Sequence, residues 1–351
     1  MRMGERLKVA RKAAQLSLRA LAEEVGVSAQ AISKYERDLM MPNSEMLLRF
    51  AQALGVKVEF FFRLQQVTLS TPAYRKRAAL PRKQEQAILA QVQEWLERYL
   101  EIESLFPDEK TPSFDPPDHT SRQASSLEEV EDVALALRKK WRLGEIFIEN
   151  LIDLLEDQGV KVGLVEGHDE FDACTFWAND SIPVIVTKRG VPGDRQRMNV
   201  AHELGHLVLE TDDEKAAYRF AGAFLVPADI VRYELGERRR SLDPYELHLL
   251  KHKYGLSMQG WIYRAKDLGI ISESAAGHLF RLFRREGWYR EEPGDQLPPE
   301  EPKRMTRLVL RALSEDLVSE SRVAELLGKP LAQFYKEEAE RHDGFPADLR
   351  R

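Results

Sequence analysis

The sequence of 351 residues contains a single cysteine, Cys174. That excludes an internal disulfide framework and a zinc cluster built from cysteines. No run approaches the ~18 consecutive apolar residues of a membrane-spanning helix, so no membrane partner is expected. The opening Met1-Arg2-Met3-Gly4-Glu5 leads into an amphipathic stretch without a hydrophobic signal core. A reducing cytoplasm is the expected location. No internal repeat of fixed period occurs. Excess charge of one sign is also scarce, with 52 Lys and Arg against 58 Asp and Glu and a net charge of −6. The balance is uneven along the chain, however. Residues 1–80 hold 14 basic against 7 acidic residues, and the remainder holds 38 against 51. A basic module on an acidic body is the distribution expected when only the first part touches nucleic acid.

Apolar residues make up 43% and charged residues 31%, enough to build real cores. The length suits two or three domains of roughly 100–200 residues each. The pattern predicts a mainly α fold with a small β-sheet (α+β). Residues 4–62 read as four or five short helices punctuated by Ser17, Gly26, Ser28, Pro42, Asn43 and Gly55. A longer helix over 82–105 carries Ile88, Leu89, Val92, Trp95, Leu96, Tyr99 and Ile102 at helical spacing. Its stripe must bury within the chain or against a second copy. Ser104–Ser126, with Pro107, Pro112, Pro116 and Pro117, reads as a flexible linker. After a helix over 127–156, strands are predicted at Val160–Val165, Phe171–Trp177 and Ile182–Thr187. From Arg195 the chain is helical again, interrupted by Pro293–Pro302. These features divide it into residues 1–65, a connecting helix and linker over 66–126, a domain over 127–275, and a helical C-terminal region over 276–351.

Residues Leu16–Ser28 have the elements of a helix-turn-helix. Ala22 lets two helices approach, Gly26 takes the tight turn and Val27 plugs the gap between them. The helix starting at Ser28 can then lie in the major groove of double-stranded DNA. Ala29, Gln30, Ser33 and Lys34 face outward on it, with Ile32 and Tyr35 facing the core. Gln30 is suited to a bidentate contact with adenine, and Lys34 to guanine or phosphate. Ser17 and Ser28 stand at helix starts, where backbone N–H groups meet phosphates. This stretch, from about Met3 to Phe62 with Glu36 and Pro42, resembles the lambda-repressor-like XRE family. The resemblance implies an operator-binding domain acting as a homodimer on DNA. It also implies a structural ion pair between Arg11 and Glu36, and a DNA-facing position for Arg19, where the family often has glutamine.

His202-Glu203-Leu204-Gly205-His206 is an H-E-x-x-H. Two histidines four residues apart project from one helix face, so both imidazoles can bind one zinc ion. Glu203 can reach a water on that ion and act as general base. Val200, Leu204, Leu207 and Val208 form the core stripe, which leaves Asn199, His202 and His206 on a face expected to line a cleft. A third ligand is needed. Glu214 lies in the first turn of the next helix, opposite His206 in an antiparallel hairpin. Asp212 and Asp213 are its rivals, better suited to capping. His248 and His252 form another i, i+4 pair but lack the glutamate.

The runs Arg195–His206, Glu214–Ala221 and Phe224-Leu225-Val226-Pro227 look like the ImmA/IrrE metallopeptidase family over about residues 130–275. The family's E-x-x-A ligand motif falls on Glu214-Lys215-Ala216-Ala217, which implies a zincin-like domain with His202, His206 and Glu214 as metal ligands. Met198 and Asn199 stand where the family usually has phenylalanine and threonine. Such proteins regulate genes by cleaving a transcriptional repressor. The combination implies a DNA-binding regulator whose zinc endopeptidase domain cleaves a regulatory protein, an XRE-type repressor or the chain itself. The alternative is a repressor or antitoxin-like protein, partnered with a toxin, whose zinc domain only senses or binds. Tyr218 and Arg219 are candidates for stabilising a tetrahedral intermediate.

Overall fold

The computed structural model describes residues 3–56, 58–62, 67–69, 82–107, 111–118, 124, 126–144, 147–166 and 171–336. The chain is mainly α with one three-stranded sheet. It divides into two compact units, one of Met1–Thr68, Leu80–Thr111 and Lys303–Arg351, the other of Leu69–Ala79 and Pro112–Pro302.

The first unit begins with α1 (Met3–Ala13), α2 (Leu18–Val25), α3 (Ala29–Glu36) and α4 (Ser44–Leu54). Each start after the first is capped by a short polar side chain. Ser17 Oγ accepts from Ala20 N at 3.0 Å, Ser28 Oγ from Ala31 N at 3.1 Å, and Asn43 Oδ1 from Met46 N at 2.9 Å. Such caps satisfy backbone donors that a helix leaves unpaired. Gly26 ends α2 in the left-handed region, φ 75°, where a side chain would be strained. Leu7, Leu21, Ile32 and Phe50 are fully buried at the centre, with Tyr35 edge-on to Phe50 at 5.5 Å.

The long helix α5 (Arg82–Ser104) buries Ile88, Val92, Leu96, Tyr99 and Ile102 within the chain. Its partners are α1 and the C-terminal helices Arg304–Ser314 and Glu320–Leu326. Arg6 of α1 and Glu97 of α5 form a buried ion pair. Ile102, Leu308, Val309, Val323 and Phe334 share one apolar cluster. The C-terminal helices therefore complete this unit.

In the second unit α6 (Leu127–Lys140) and α7 (Leu151–Asp157) precede the sheet, whose order is β1-β3-β2. β1 (Lys161–Val165) runs parallel to β3 (Ile182–Lys188), with Val162 opposite Ile185. β2 (Ala173–Ala178) is antiparallel to β3, with Thr175 opposite Ile185. Asn179 and Asp180 turn this hairpin at φ 49° and 59°, a conformation these residues tolerate. Parts of the expected proline-rich linker (108–110, 119–123 and 125) lie outside the described residues. Its described portion 111–118 is not a free tether. The Phe114 ring packs edge-on to Trp141 at 6.4 Å and Trp177 at 6.1 Å, so one aromatic in a polar segment anchors it.

α8 (Gly193–Leu209) lies on β2 and β3, and α9 (Glu214–Leu225) packs along α8. Four further helices follow, α10 (Ala228–Leu235), α11 (Pro244–Tyr254), α12 (Met258–Asp267) and α13 (Glu273–Arg285). The proline-rich stretch that follows α13 is held against the start of α8. Gly193 N donates to Leu297 O at 2.8 Å. The Gln196 side chain both donates to Glu300 O at 3.0 Å and accepts from Glu300 N at 2.7 Å. A Cβ at Gly193 would stand 2.2 Å from Pro298 O, so the close approach requires glycine there.

Glu131 of α6 joins α9 and α12. It pairs with Arg264 at 2.7 and 3.2 Å and with Arg219 at 2.5 Å. Burial alone would raise its pKa, but the hydrogen bonds and charges of Arg264 and Arg219 outweigh burial and lower it. The contribution of this carboxylate to stability is thus complete at neutral pH and lost as pH falls through the depressed folded value. Glu131→Ala leaves the buried Arg264 without its carboxylate and Arg219 with Asp267 alone, and chemical denaturation at pH 7 should show a loss of about 3–5 kcal/mol. The variant's deficit should shrink in acid.

Candidate metal centre and nucleic-acid interface

Four residues of helix return a side chain to nearly the same face, so α8 stacks His202 and His206. Their Nε2 atoms stand 3.0 Å apart. Glu214, the first residue of α9, places Oε2 3.3 Å from His202 Nε2 and Oε1 3.7 Å from His206 Nε2. Three donors of a tetrahedral zinc site with bonds of ~2.0–2.1 Å would be separated by roughly 3.3–3.4 Å, a value these distances bracket. The ligand atoms all lie within 4.8 Å of one another, the one group of this kind among the described residues. His206 Nδ1 is 2.7 Å from Thr211 O. A carbonyl only accepts, so Nδ1 carries the proton and the Nε2 lone pair faces the cluster, the arrangement a histidine ligand requires. Two imidazoles and a carboxylate fit zinc.

Of the face expected to line a cleft, Asn199 lines a cavity while the two histidines are buried. His202 is 1% exposed, Glu203 3% and His206 7%. The reason is α9. A Cβ at Gly205 would come within 3.1 Å of Phe220 Cδ1 and 3.2 Å of Ala217 Cα, so this glycine lets α9 close over α8. The Tyr218 ring then lies over His202, with centroids 4.2 Å apart. Behind the helix is Cys174 of β2, fully buried. Burial and then the negative charge of Glu203 push its thiol pKa well above the usual value. Its sulfur is not part of the cluster formed by His202, His206 and Glu214.

The rival carboxylates have other positions. Asp213 is the N-cap of α9, accepting from Lys215 N at 2.9 Å, and Asp212 is exposed. Arg219, a candidate for stabilising an intermediate, is tied to Glu131 and to Asp267 at 3.2 Å. Its guanidinium is a structural cross-link. Tyr218 remains beside the cluster. His248 stacks on Tyr245, and His252 Nε2 contacts Asp295 O at 3.1 Å, so that pair is engaged elsewhere.

In the first unit, Arg11 binds Glu36 through two hydrogen bonds, 2.6 and 3.1 Å, and donates a third to Leu16 O at 2.8 Å. It clamps α1 to α3. Ser17, Arg19, Ser28, Gln30 and Lys34 are exposed, while Ala29 and Ser33 are half-buried. Arg37 escaped the sequence reading. It is exposed, its Nε donates to Ser33 O at 3.1 Å, and its i+4 spacing from Ser33 places it on the same outer face. That spacing in a basic residue was the available signal.

A helix-turn-helix with a separate H-E-x-x-H domain defines a metallopeptidase-like regulator architecture. Residues 7–61 match the helix-turn-helix family and residues 159–266 match the IrrE N-terminal-like domain, a peptidase family. The chain thus joins an XRE-type helix-turn-helix to an ImmA/IrrE-like domain. No curated protein gives a significant match to the chain. Among the described residues no helix is long and apolar enough to cross a membrane.

Proposed function

We propose that this protein is a transcriptional regulator that binds an operator through residues 1–65 and cleaves a regulatory protein with a zinc-dependent endopeptidase domain. The observation that carries the reading is the convergence of His202, His206 and Glu214 beside a buried Glu203, in a chain that also has a helix-turn-helix. Zinc held by these three residues would polarise the scissile carbonyl and acidify a water. Glu203, beside the residues that would hold the metal, would serve as the general base and acid, taking a proton from the attacking water and returning it to the leaving amine. The sheet with Cys174 and the packed α9 exclude bulk solvent from Glu203, and Thr211 fixes the tautomer of His206.

On DNA, the α3 helix enters the major groove with Gln30 on a base edge. Ser17, Arg19, Ser28, Ala29, Ser33 and Lys34 surround it. The exposed Leu39, Met41 and Leu48 support pairing of two copies on an operator. Cytoplasmic location follows from the DNA partner. Gln30→Ala should cost about 1–3 kcal/mol on an operator selected from random duplexes. Lys34→Ala should lower the slope of log affinity against log salt by about one. Anisotropy titrations over a range of salt concentrations measure both. Metal-dependent proteolysis of an XRE-type repressor, or of the chain itself, tests the enzymatic half.

A further inference from the structure

The C-terminal helices of the first unit repeat its first three. α14 (Arg304–Ser314) has 11 residues, as α1 does, and each leads into a left-handed residue, Asp316 at φ 56° and Gln15 at φ 57°. α15 (Glu320–Leu326) then follows as α2 follows α1, and a further helix covers 331–336. From Ser17 to Lys34 each position has a counterpart 302 residues on, without a gap. Ser17, Ala22, Glu23, Gly26 and Lys34 correspond to Ser319, Ala324, Glu325, Gly328 and Lys336. Identity stops there, which is why composition and spacing alone show no repeat. The backbone hydrogen bonds agree. Val323 N donates to Ser319 O at 2.9 Å, as Leu21 N does to Ser17 O at 3.0 Å. Lys329 N donates to Ala324 O and Val27 N to Ala22 O, both at 2.9 Å. Phe334 N donates to Pro330 O at 3.0 Å, and Ile32 N to Ser28 O at 3.2 Å. Ser319 Oγ accepts from Arg322 N at the start of α15, as Ser17 Oγ does from Ala20 N at the start of α2. Gly328 takes the turn at φ 69°, against 75° at Gly26. Val323, Ala324 and Phe334 are buried, like Leu21, Ala22 and Ile32.

Charge points to the same class of partner as the first motif. Residues 303–336 hold 7 basic against 4 acidic residues, within a remainder that is acidic overall. Lys329 stands in the turn, and Lys336 is exposed at the place of Lys34. The other outward positions differ. Leu331 replaces Ala29, Ala332 replaces Gln30 and Tyr335 replaces Ser33. The amide of Gln333 falls at the place of Ala31, off that face, and the Tyr335 hydroxyl donates to Glu320. The outward face thus lacks the paired donor and acceptor that read a base edge. Lysines without such a group hold phosphates whatever the sequence. Both motifs are bolted to α5. Arg6 pairs with Glu97 and Arg322 with Glu101, one helical turn further on. Arg98 Nη1 also donates to Glu325 O at 3.2 Å. A shared rigid support lets the second motif add to the hold on a duplex without the ordering cost of a flexible tether.

We infer that residues 303–336 form a second helix-turn-helix, which grips the phosphates of double-stranded DNA through Lys329 and Lys336 and leaves the reading of sequence to the first. The choice of DNA as partner rests on the operator reading above. The motif lies outside both matched segments, 7–61 and 159–266.

Salt titrations of the full-length protein test this, on an operator selected from random duplexes and on a scrambled duplex. Lys329→Ala with Lys336→Ala should lower the slope of log affinity against log salt by about two on both duplexes. The affinity lost by this double variant should therefore shrink about 10-fold as salt rises from about 50 to about 200 mM. Its preference for operator over scrambled duplex should match the wild type. Gln30→Ala should do the opposite, lowering the preference and leaving the slope. Hydroxyl-radical footprinting at saturating protein should show a protected backbone segment that the double variant loses and Gln30→Ala keeps. An unchanged slope and footprint in the double variant, or a fall in preference equal to that of Gln30→Ala, would overturn the inference. In that event the first motif keeps its role. A wild-type protein without affinity for any duplex would remove both readings at once.

Discussion

Replacing His202 or His206 by alanine should abolish tight zinc binding, which in the wild type should saturate near one ion per chain. Each change leaves two protein ligands, too few to hold a tetrahedral site. The loss should exceed the roughly 10–100-fold that follows removal of an outer hydrogen-bond partner. Glu214→Ala should weaken binding strongly, because its carboxylate stands 3.3 Å from His202 Nε2. Asp213→Ala should leave the metal in place and cost only a helix cap, about 1 kcal/mol. Competition with a chromophoric chelator reads the affinities directly. Zinc lost on Asp213→Ala but kept on Glu214→Ala would show that the third ligand is misassigned.

Glu203→Gln should separate chemistry from every other property of the chain. The amide keeps the size of the carboxylate and its capacity to hydrogen-bond, but it cannot take a proton near neutral pH. Cleavage should fall by roughly 10²–10⁴-fold, the usual share of a general base. Zinc content, folding and operator affinity should be unchanged, since Glu203 belongs neither to the metal cluster nor to the DNA-facing helix. In cells the regulated genes should stay locked in the state that proteolysis relieves. Transcript levels matching wild type in this variant, with a loss of regulation in Gln30→Ala, would identify the protein as a repressor without proteolysis.

Both functional segments were legible because each is contained in a short run whose spacing fixes its geometry. An i, i+4 histidine pair needs only a helix to converge, and Ser17, Gly26 and Ser28 mark helix boundaries by their own local chemistry. The three strands were likewise legible within about two residues of their ends, from apolar runs between turn residues. What escaped depends on contacts between distant parts of the chain. Gln196 meets Glu300 across 104 positions, and Arg98 meets Glu325 O across 227. No local pattern reports such meetings. The burial of His202 escaped for the same reason, since it depends on Gly205 admitting the Ala217–Phe220 surface of a different helix. Phe114 shows the limit of composition, because its ring, together with Lys140 bonded to Asp115 and to Pro116 O, fastens a segment whose prolines and polar residues read as a tether.

The most direct measurement is mass spectrometry of new peptide ends. The purified full-length protein, loaded with one equivalent of zinc, is incubated with its operator and with candidate XRE-type repressors. The account predicts new ends in a repressor or in the chain itself. They should vanish with chelator, return when zinc is restored, and be absent with Glu203→Gln. New ends that persist unchanged in chelator, or no new ends with any partner while zinc and DNA are both bound, would contradict it.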